Sequence, residues 1–458
     1  MTMSRRTFLR TTGATGAATM AGTSGCLDLL LGSGAGGGIG SIDNAAGDVP
    51  TAINPENYTQ YFNEVVDATT VGADPTGETP IDGVLNSYAQ PGTLLVFPEG
   101  TYTIATPFRH TGGGNIGIIG QNATLRHANV DAIQGHTITS GEFRGSSIMF
   151  AIGRASSPHT GTLVLGGFTV DDREENHGMQ LLRLYTTGLA DIRNIRFIGR
   201  QDLGTRGPFR ALTRADDALA IFANIDMRYG ARHFAHTIND RGGGRSAASW
   251  STSGFTIGSS MSGTMLLENV ICGAFPDNGL YLKGGLPSNN VGRKILRNCT
   301  TANSNVANIR VNSGDDWVPH PLIDGEDGTP AEGYERTVVE NCRVIIDQAR
   351  DPVVFSTQRG IRLDDGNPLL RDTSVEIHQA NGHGINVQAS TNGATVERCR
   401  VDLYEPEIGI RVTGTNPELL ENNVNLHGFT GGTVVSGVSA GRGVAVNRVT
   451  QSTTESQS

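Results

Sequence analysis

Residues 384–412 read GINVQASTNGATVERCRVDLYEPEIGIRV. The stretch opens on Gly384-Ile385-Asn386-Val387 and closes on Gly409-Ile410-Arg411-Val412, the same four-residue pattern 25 residues later. Going backward, the pattern recurs at Gly360-Ile361-Arg362-Leu363, Asn308-Ile309-Arg310-Val311 and Gly279-Leu280-Tyr281-Leu282. A second pattern alternates with it: Glu268-Asn269, Arg297-Asn298-Cys299, Glu340-Asn341-Cys342, Glu397-Arg398-Cys399 and Glu421-Asn422. The first pattern recurs at spacings of 29, 52, 24 and 25 residues, the 52 being one turn of the repeat plus a long insertion. Short strand-like pieces joined by polar turns at such a period cannot bury an apolar face alone, but stacked copies can. The chain is therefore expected to be all-β, a right-handed single-stranded parallel β-helix of about ten coils with a short N-terminal helical cap.

Side chains alternate along a strand, so the repeat sorts residues by direction. The second and fourth positions of the first pattern point inward and stack. The third points outward, which puts Tyr281, Arg310, Arg362, Asn386 and Arg411 in one exposed column with a rung spacing of about 4.8 Å. The asparagines of the second pattern read as a ladder whose side chains hydrogen-bond along the axis.

Composition agrees with many short strands and turns: 62 glycines and 6% aromatics. A net charge of -10 and the lack of a basic phosphate-binding face exclude a nucleic-acid partner. Lys283 and Lys294 are the only two lysines, so nearly all basic charge is arginine. No run reaches the roughly 20 apolar residues of a membrane-spanning helix.

Ser4-Arg5-Arg6-Thr7-Phe8-Leu9-Arg10, followed by an Ala/Thr/Gly-rich segment ending at Ser24-Gly25-Cys26, resembles a twin-arginine export signal with a lipoprotein cleavage site. The resemblance implies an exported, cell-surface protein, lipidated at Cys26 and touching the membrane only through that anchor. The expected organisation is a signal over 1–25, a Gly/Ser-rich tether over 26–50, a cap region over 51–90, the solenoid over 91–449 and a disordered tail over 450–458. Of the four later cysteines, Cys299, Cys342 and Cys399 share one place in the second pattern. Cys299 and Cys342 fall on adjacent coils, within disulfide reach, although stacked buried thiols are the favoured state. No metal-binding cysteine spacing is present.

Val71-Gly72-Ala73-Asp74-Pro75-Thr76-Gly77, a helix-like Thr79 to Ala89, and Gly92-Thr93-Leu94-Leu95-Val96-Phe97-Pro98-Glu99-Gly100-Thr101-Tyr102 resemble the opening of the pectate-lyase-like β-helix superfamily. That group includes pectate lyases, polygalacturonases and phage tailspikes. The resemblance implies a carbohydrate-active protein acting on an acidic, uronate-containing polysaccharide by lyase or hydrolase chemistry, as a monomer or a trimer. A second short helix is expected around Tyr58 to Val66. Two insertions, Asn239 to Ser262 and Asn312 to Glu335, read as loops on one face.

Acidic pairs follow the outward column: Asp315-Asp316, Asp364-Asp365 and, earlier, Asp216-Asp217. Elimination needs the uronate carboxylate neutralised, by arginine or by Ca²⁺ held on Asp316 and Asp364, and a base such as a crowded Arg, His383 or Tyr281. Hydrolysis needs paired acids instead. The candidate set is therefore Asp315, Asp316, Asp364, Asp365 and His383 for chemistry, with Tyr281, Arg310, Arg362, Asn386 and Arg411 for substrate. Gly382-His383-Gly384 followed by Gly409-Ile410-Arg411-Val412 resembles polygalacturonase elements, but the acidic pair follows its strand instead of preceding it, and no Asn-Thr-Asp element is present. Two alternatives stand beside the enzyme. The acidic pairs can be turn formers, and the whole chain can be a non-catalytic solenoid that binds glycans or cell-surface partners.

Overall fold

The computed structural model describes residues 42–43, 47–239, 252–258, 260–283, 292–314, 316–348, 358–379, 382–428, 431–437 and 444–451. These residues wind into a right-handed parallel β-helix built from an 18-stranded and an 11-stranded sheet. The strand pairings within the two sheets are parallel, and the small hairpin of Ile133–Gln134 with Thr137–Ile138 is antiparallel. The eleven strands of the second sheet match the expected coil number.

Later coils contribute three strand pieces, while in earlier ones such as Leu189–Gly199 and Leu219–Met227 the long-sheet strand runs through the corner unbroken. The coil that holds Arg310 has Arg293–Arg297 and Thr300–Ala302 in the long sheet and Ala307–Val311 in the second. The extra corner lies at the second pattern. Asn194, Asn224, Asn269, Asn298 and Asn341 all have left-handed backbone, with φ between 50 and 58°. Asparagine tolerates that conformation better than other residues with a Cβ. The ladder is present as well: Asn269 Nδ2 donates to Asn224 Oδ1 at 2.8 Å, and Asn224 Nδ2 to Asn194 Oδ1 at 2.9 Å. The second pattern thus turns the chain and ties successive turns together.

Inward positions stack in register as the repeat requires. Leu280 pairs with Ile309, Ile309 with Ile361, Ile361 with Ile385 and Ile385 with Ile410, and all five are fully buried. The four described cysteines are buried free thiols, Cys299 and Cys342 included. Burial pushes the Cys342 thiol well up and that of Cys399 up to about 12, so both stay protonated and inert.

The cap helix spans Asp82–Tyr88 and drives Val84 and Leu85 onto the end of the core. The helix expected around Tyr58 is replaced by two 3-10 turns, Pro55–Asn57 and Thr59–Tyr61, followed by the strand Glu64–Asp67. That strand pairs with Thr93–Phe97, so the parallel stack begins before residue 91. Its Val65-Val66 pair favours the pleated surface over a helix. Ile42 and Val49, inside the stretch read as tether, are buried against Ile271, Ala302 and Ile345. Cys26 and the signal-like segment lie outside the described residues. Among the described residues no helix is long and apolar enough to cross a membrane.

The first insertion is not wholly a loop. Phe255–Ile257 forms a rung of the second sheet, with Phe255 in register between Phe209 and Leu280.

Candidate functional site

The outward column is continuous. Tyr281 pairs in register with Arg310, Arg310 with Arg362, Arg362 with Asn386, and Asn386 with Arg411. Arg411 is exposed, and Tyr281, Arg310 and Arg362 are half-buried. Asn386, expected to be exposed, is buried between its two arginine neighbours and accepts from Gln388. The Arg310 guanidinium lies 4.9 Å over the Tyr281 ring, which makes that tyrosine a platform.

Asp364 is the centre of the cluster and is 1% exposed. Arg310 Nε donates to its Oδ2 at 2.6 Å, Arg362 Nε to its Oδ1 at 2.5 Å, and Lys283 Nζ lies 3.3 Å from Oδ2. Burial by itself would push this carboxyl up, but Arg310 and Arg362 outweigh it and hold the group below the usual carboxylate range. Asp364 is therefore a fixed anion that orients two guanidiniums, not a proton donor. Asp365, buried beside it, pairs with Lys283 Nζ at 3.1 Å.

His383 sits one rung from Arg359, its register partner. Burial, then Arg359 and Arg411, lower its pKa to about 4, so the imidazole is neutral at neutral pH. Arg359 is itself lowered to about 10, by burial and then by Arg362, Arg310 and Arg411. Four guanidiniums and Lys283 thus share one face with the buried carboxylates Asp364 and Asp365, a local surplus of positive charge on an acidic protein.

The expected meeting of Asp316 with Asp364 does not occur. Asp316 is exposed, and its carbonyl accepts from Gly263 N at 2.9 Å, while Val318 N donates to Asp216 O at 3.0 Å. The insertion therefore runs back over earlier coils, away from Asp364. Its course is fixed by the helical turn Pro321–Asp324. Leu322 packs on Leu219, Ile221, Leu266 and Ile295, and Asp324 takes the Arg293 guanidinium through two contacts of 2.7 Å. Asp315 lies outside the described residues. Asp216 and Asp217 are exposed in the turn before Leu219.

Calcium binding needs about six to eight oxygen ligands. Both Asp364 oxygens already face cations, and Asp316 points elsewhere, so these residues do not fit that ion.

Three members of the neighbourhood were not singled out from the sequence. Arg359 follows an unread segment before the Gly360 pattern. Lys283 directly follows the strand Asn278–Leu282, and its signal was the scarcity of lysine. Asp277 is 3% exposed, with Oδ2 3.2 Å from Ser253 Oγ, and burial pushes its carboxyl up to about 7 against the pull of Ser253 and Arg310.

No family model and no curated protein matches the chain. Among solved structures, the Streptococcus pneumoniae surface protein and adhesin PfbA matches with TM-score 0.44 at 10% identity, over 84% of this chain and 97% of that one. A Yersinia enterocolitica family 28 exopolygalacturonase matches with TM-score 0.36 at 12% identity, over 85% and 78%. The A-module of the Azotobacter vinelandii mannuronan C-5 epimerase AlgE6 matches with TM-score 0.30 at 13% identity, over 84% and 99%. Scores and identities this low carry no argument about function, and the β-helix assignment rests on the strand pairing itself.

Proposed function

We propose that this chain is an exported protein that binds an acidic, uronate-containing polysaccharide on the outer face of the second sheet. One observation carries the reading: Arg310, Arg359, Arg362 and Arg411 stand together on one face, and Arg359 feels like-charge repulsion from the other three that a polyanion would relieve. Guanidiniums suit planar carboxylates because their donors form a rigid fork. Asp364 fixes two of those forks in advance, which reduces the ordering cost of binding. Export rests on the Ser4–Arg10 segment alone.

A second reading, β-elimination at the same face, is favoured by His383. A neutral imidazole beside two guanidiniums can take the proton α to a bound uronate carboxylate while the arginines stabilise the negative charge that develops. The electron pair then forms the ring double bond, the glycosidic C–O bond breaks, and the leaving oxygen takes a proton from water. Among the described residues the expected acid pair for hydrolysis is not assembled, since Asp364 is held ionised and Asp316 lies on other coils.

Incubation with a panel of polyuronides separates these readings. Saturable binding without new ultraviolet absorbance means recognition alone. Absorbance of an unsaturated product, lost in His383→Ala, means elimination. Binding to none of the panel overturns the proposal.

A further inference from the structure

The outward column extends well beyond the cluster around Asp364. Toward the N-terminus Tyr281 pairs with Thr256, Thr256 with Arg210, Arg210 with Arg183, Arg183 with Ala151 and Ala151 with Arg109. Three more arginines therefore stand on this face, with the small Ala151 between Arg109 and Arg183.

Arg183 and Arg210 are half-buried and Arg109 is exposed, and their surroundings differ from those of the buried arginines. Arg193 is paired with Asp191 at 2.6 Å, Arg228 with Asp226 at 2.8 Å and Arg293 with Asp324 at 2.7 Å. Among the described residues no carboxylate pairs with Arg109, Arg183 or Arg210. The Nε atoms of Arg183 and Arg210 are buried there without a hydrogen-bond partner. Burial lowers the Arg183 pKa, Tyr185 opposes the fall, and Arg109 and Arg210 add to it. Two cations one rung apart repel by about 1 kcal/mol even at the dielectric of water. A buried donor left unpaired costs about 1–3 kcal/mol more. Arg109 also borders a recess of about 430 Å³ with His110, Asn86 and Gln90.

We propose that Arg109, Arg183 and Arg210 form a second anion-binding site, which takes carboxylates of the same polysaccharide chain further along its length. The inference rests on the acidic-polysaccharide reading of the Asp364 cluster. Arg210 and Arg310 are three rungs apart, about 14 Å at the strand spacing of a sheet. Only Thr256 and Tyr281, both uncharged, lie between them. A chain long enough to span both sites binds the second intramolecularly, so affinity rises with chain length without any new kind of contact.

Calorimetric titration with a galacturonate trimer and a galacturonate dodecamer tests this. Wild-type protein is expected to bind the dodecamer at least about tenfold more tightly than the trimer. Arg183→Gln/Arg210→Gln loses that gain and keeps the trimer affinity. Its melting midpoint is not lowered, because neither guanidinium has an acid partner to lose. Arg183→Lys/Arg210→Lys, which preserves charge, retains part of the gain. The inference is overturned if the glutamine variant binds the dodecamer as tightly as wild type. It also falls, together with the polysaccharide reading, if wild type binds neither oligomer.

Discussion

Arg310 and Arg362 stand on adjacent rungs and share one acceptor: each donates its Nε to a different oxygen of Asp364, at 2.6 and 2.5 Å. A pair of like charges becomes a fixed, two-pronged surface because one buried carboxylate lies between them. Asp364→Asn keeps the shape and removes the charge. The variant should lose about 2 kcal/mol, less than the 3–5 kcal/mol typical of a fully buried pair, since the guanidiniums reach solvent. Arg362→Gln should cost about 1 kcal/mol or less, because Arg310 and Lys283 keep Asp364 paired. Urea unfolding of both variants checks the order, and an Asp364→Asn protein as stable as wild type contradicts it.

Arg293 and Asp324 are both fully buried, and their two contacts latch the Asn312 to Glu335 segment onto the coils. Asp324→Asn leaves a buried guanidinium uncompensated and should destabilise by about 3–5 kcal/mol. Amide exchange should accelerate across 316–335 before it does in the sheets. Unchanged protection there would mean that Leu322 alone holds the segment.

Asn224 tests the corner. Alanine there loses both ladder bonds and must hold a Cβ at φ 55°. The expected cost is about 2–3 kcal/mol. Glycine loses the bonds but not the conformation, and should recover about 1 kcal/mol of it. Equal melting points for the two variants would show that the ladder, not the left-handed turn, selects asparagine.

The raised Asp277 carboxyl predicts a pH dependence. Folded, it keeps its proton up to about pH 7, whereas the unfolded chain releases it near the ordinary value of about 4. The folded state thus binds more protons across that window, and stability falls as pH rises from about 4 through about 7. Asp277→Asn removes this component, so the variant should gain on wild type as pH rises from about 4 through about 7. A melting-point difference constant with pH contradicts the assignment.

The fold was legible because an alternation of period two admits only one register. Ile309, Ile361, Ile385 and Ile410 could stack only if Arg310, Arg362, Asn386 and Arg411 faced out together. Local chemistry hid other features. The rung Gly254-Phe255-Thr256-Ile257 carries the opening Gly of the pattern but sits in a Gly/Ser-rich stretch that reads as loop. Where a coil has a third strand piece, it was hidden because a single left-handed residue, Asn298, Asn341, Asp372 or Arg398, separates it from its neighbour instead of a run of turn residues. Asp316 was misplaced because the path of its insertion depends on Leu322 and the Arg293–Asp324 pair, contacts far apart in sequence. Lys283 was visible as one of only two lysines, but its meeting with Asp364 and Asp365 follows from stacking coils that are 81 residues apart in the chain.

The central claim is that the arginine face recognises a polyanion. Its most direct test is the affinity for polygalacturonate of wild type and of Arg362→Gln/Arg411→Gln, each measured at low and at high salt. Saturable binding to wild type that weakens with salt, and a loss of about tenfold or more in the variant, is the predicted result. Equal affinity in the two proteins, or binding to neutral dextran as strong as to polygalacturonate, would contradict it.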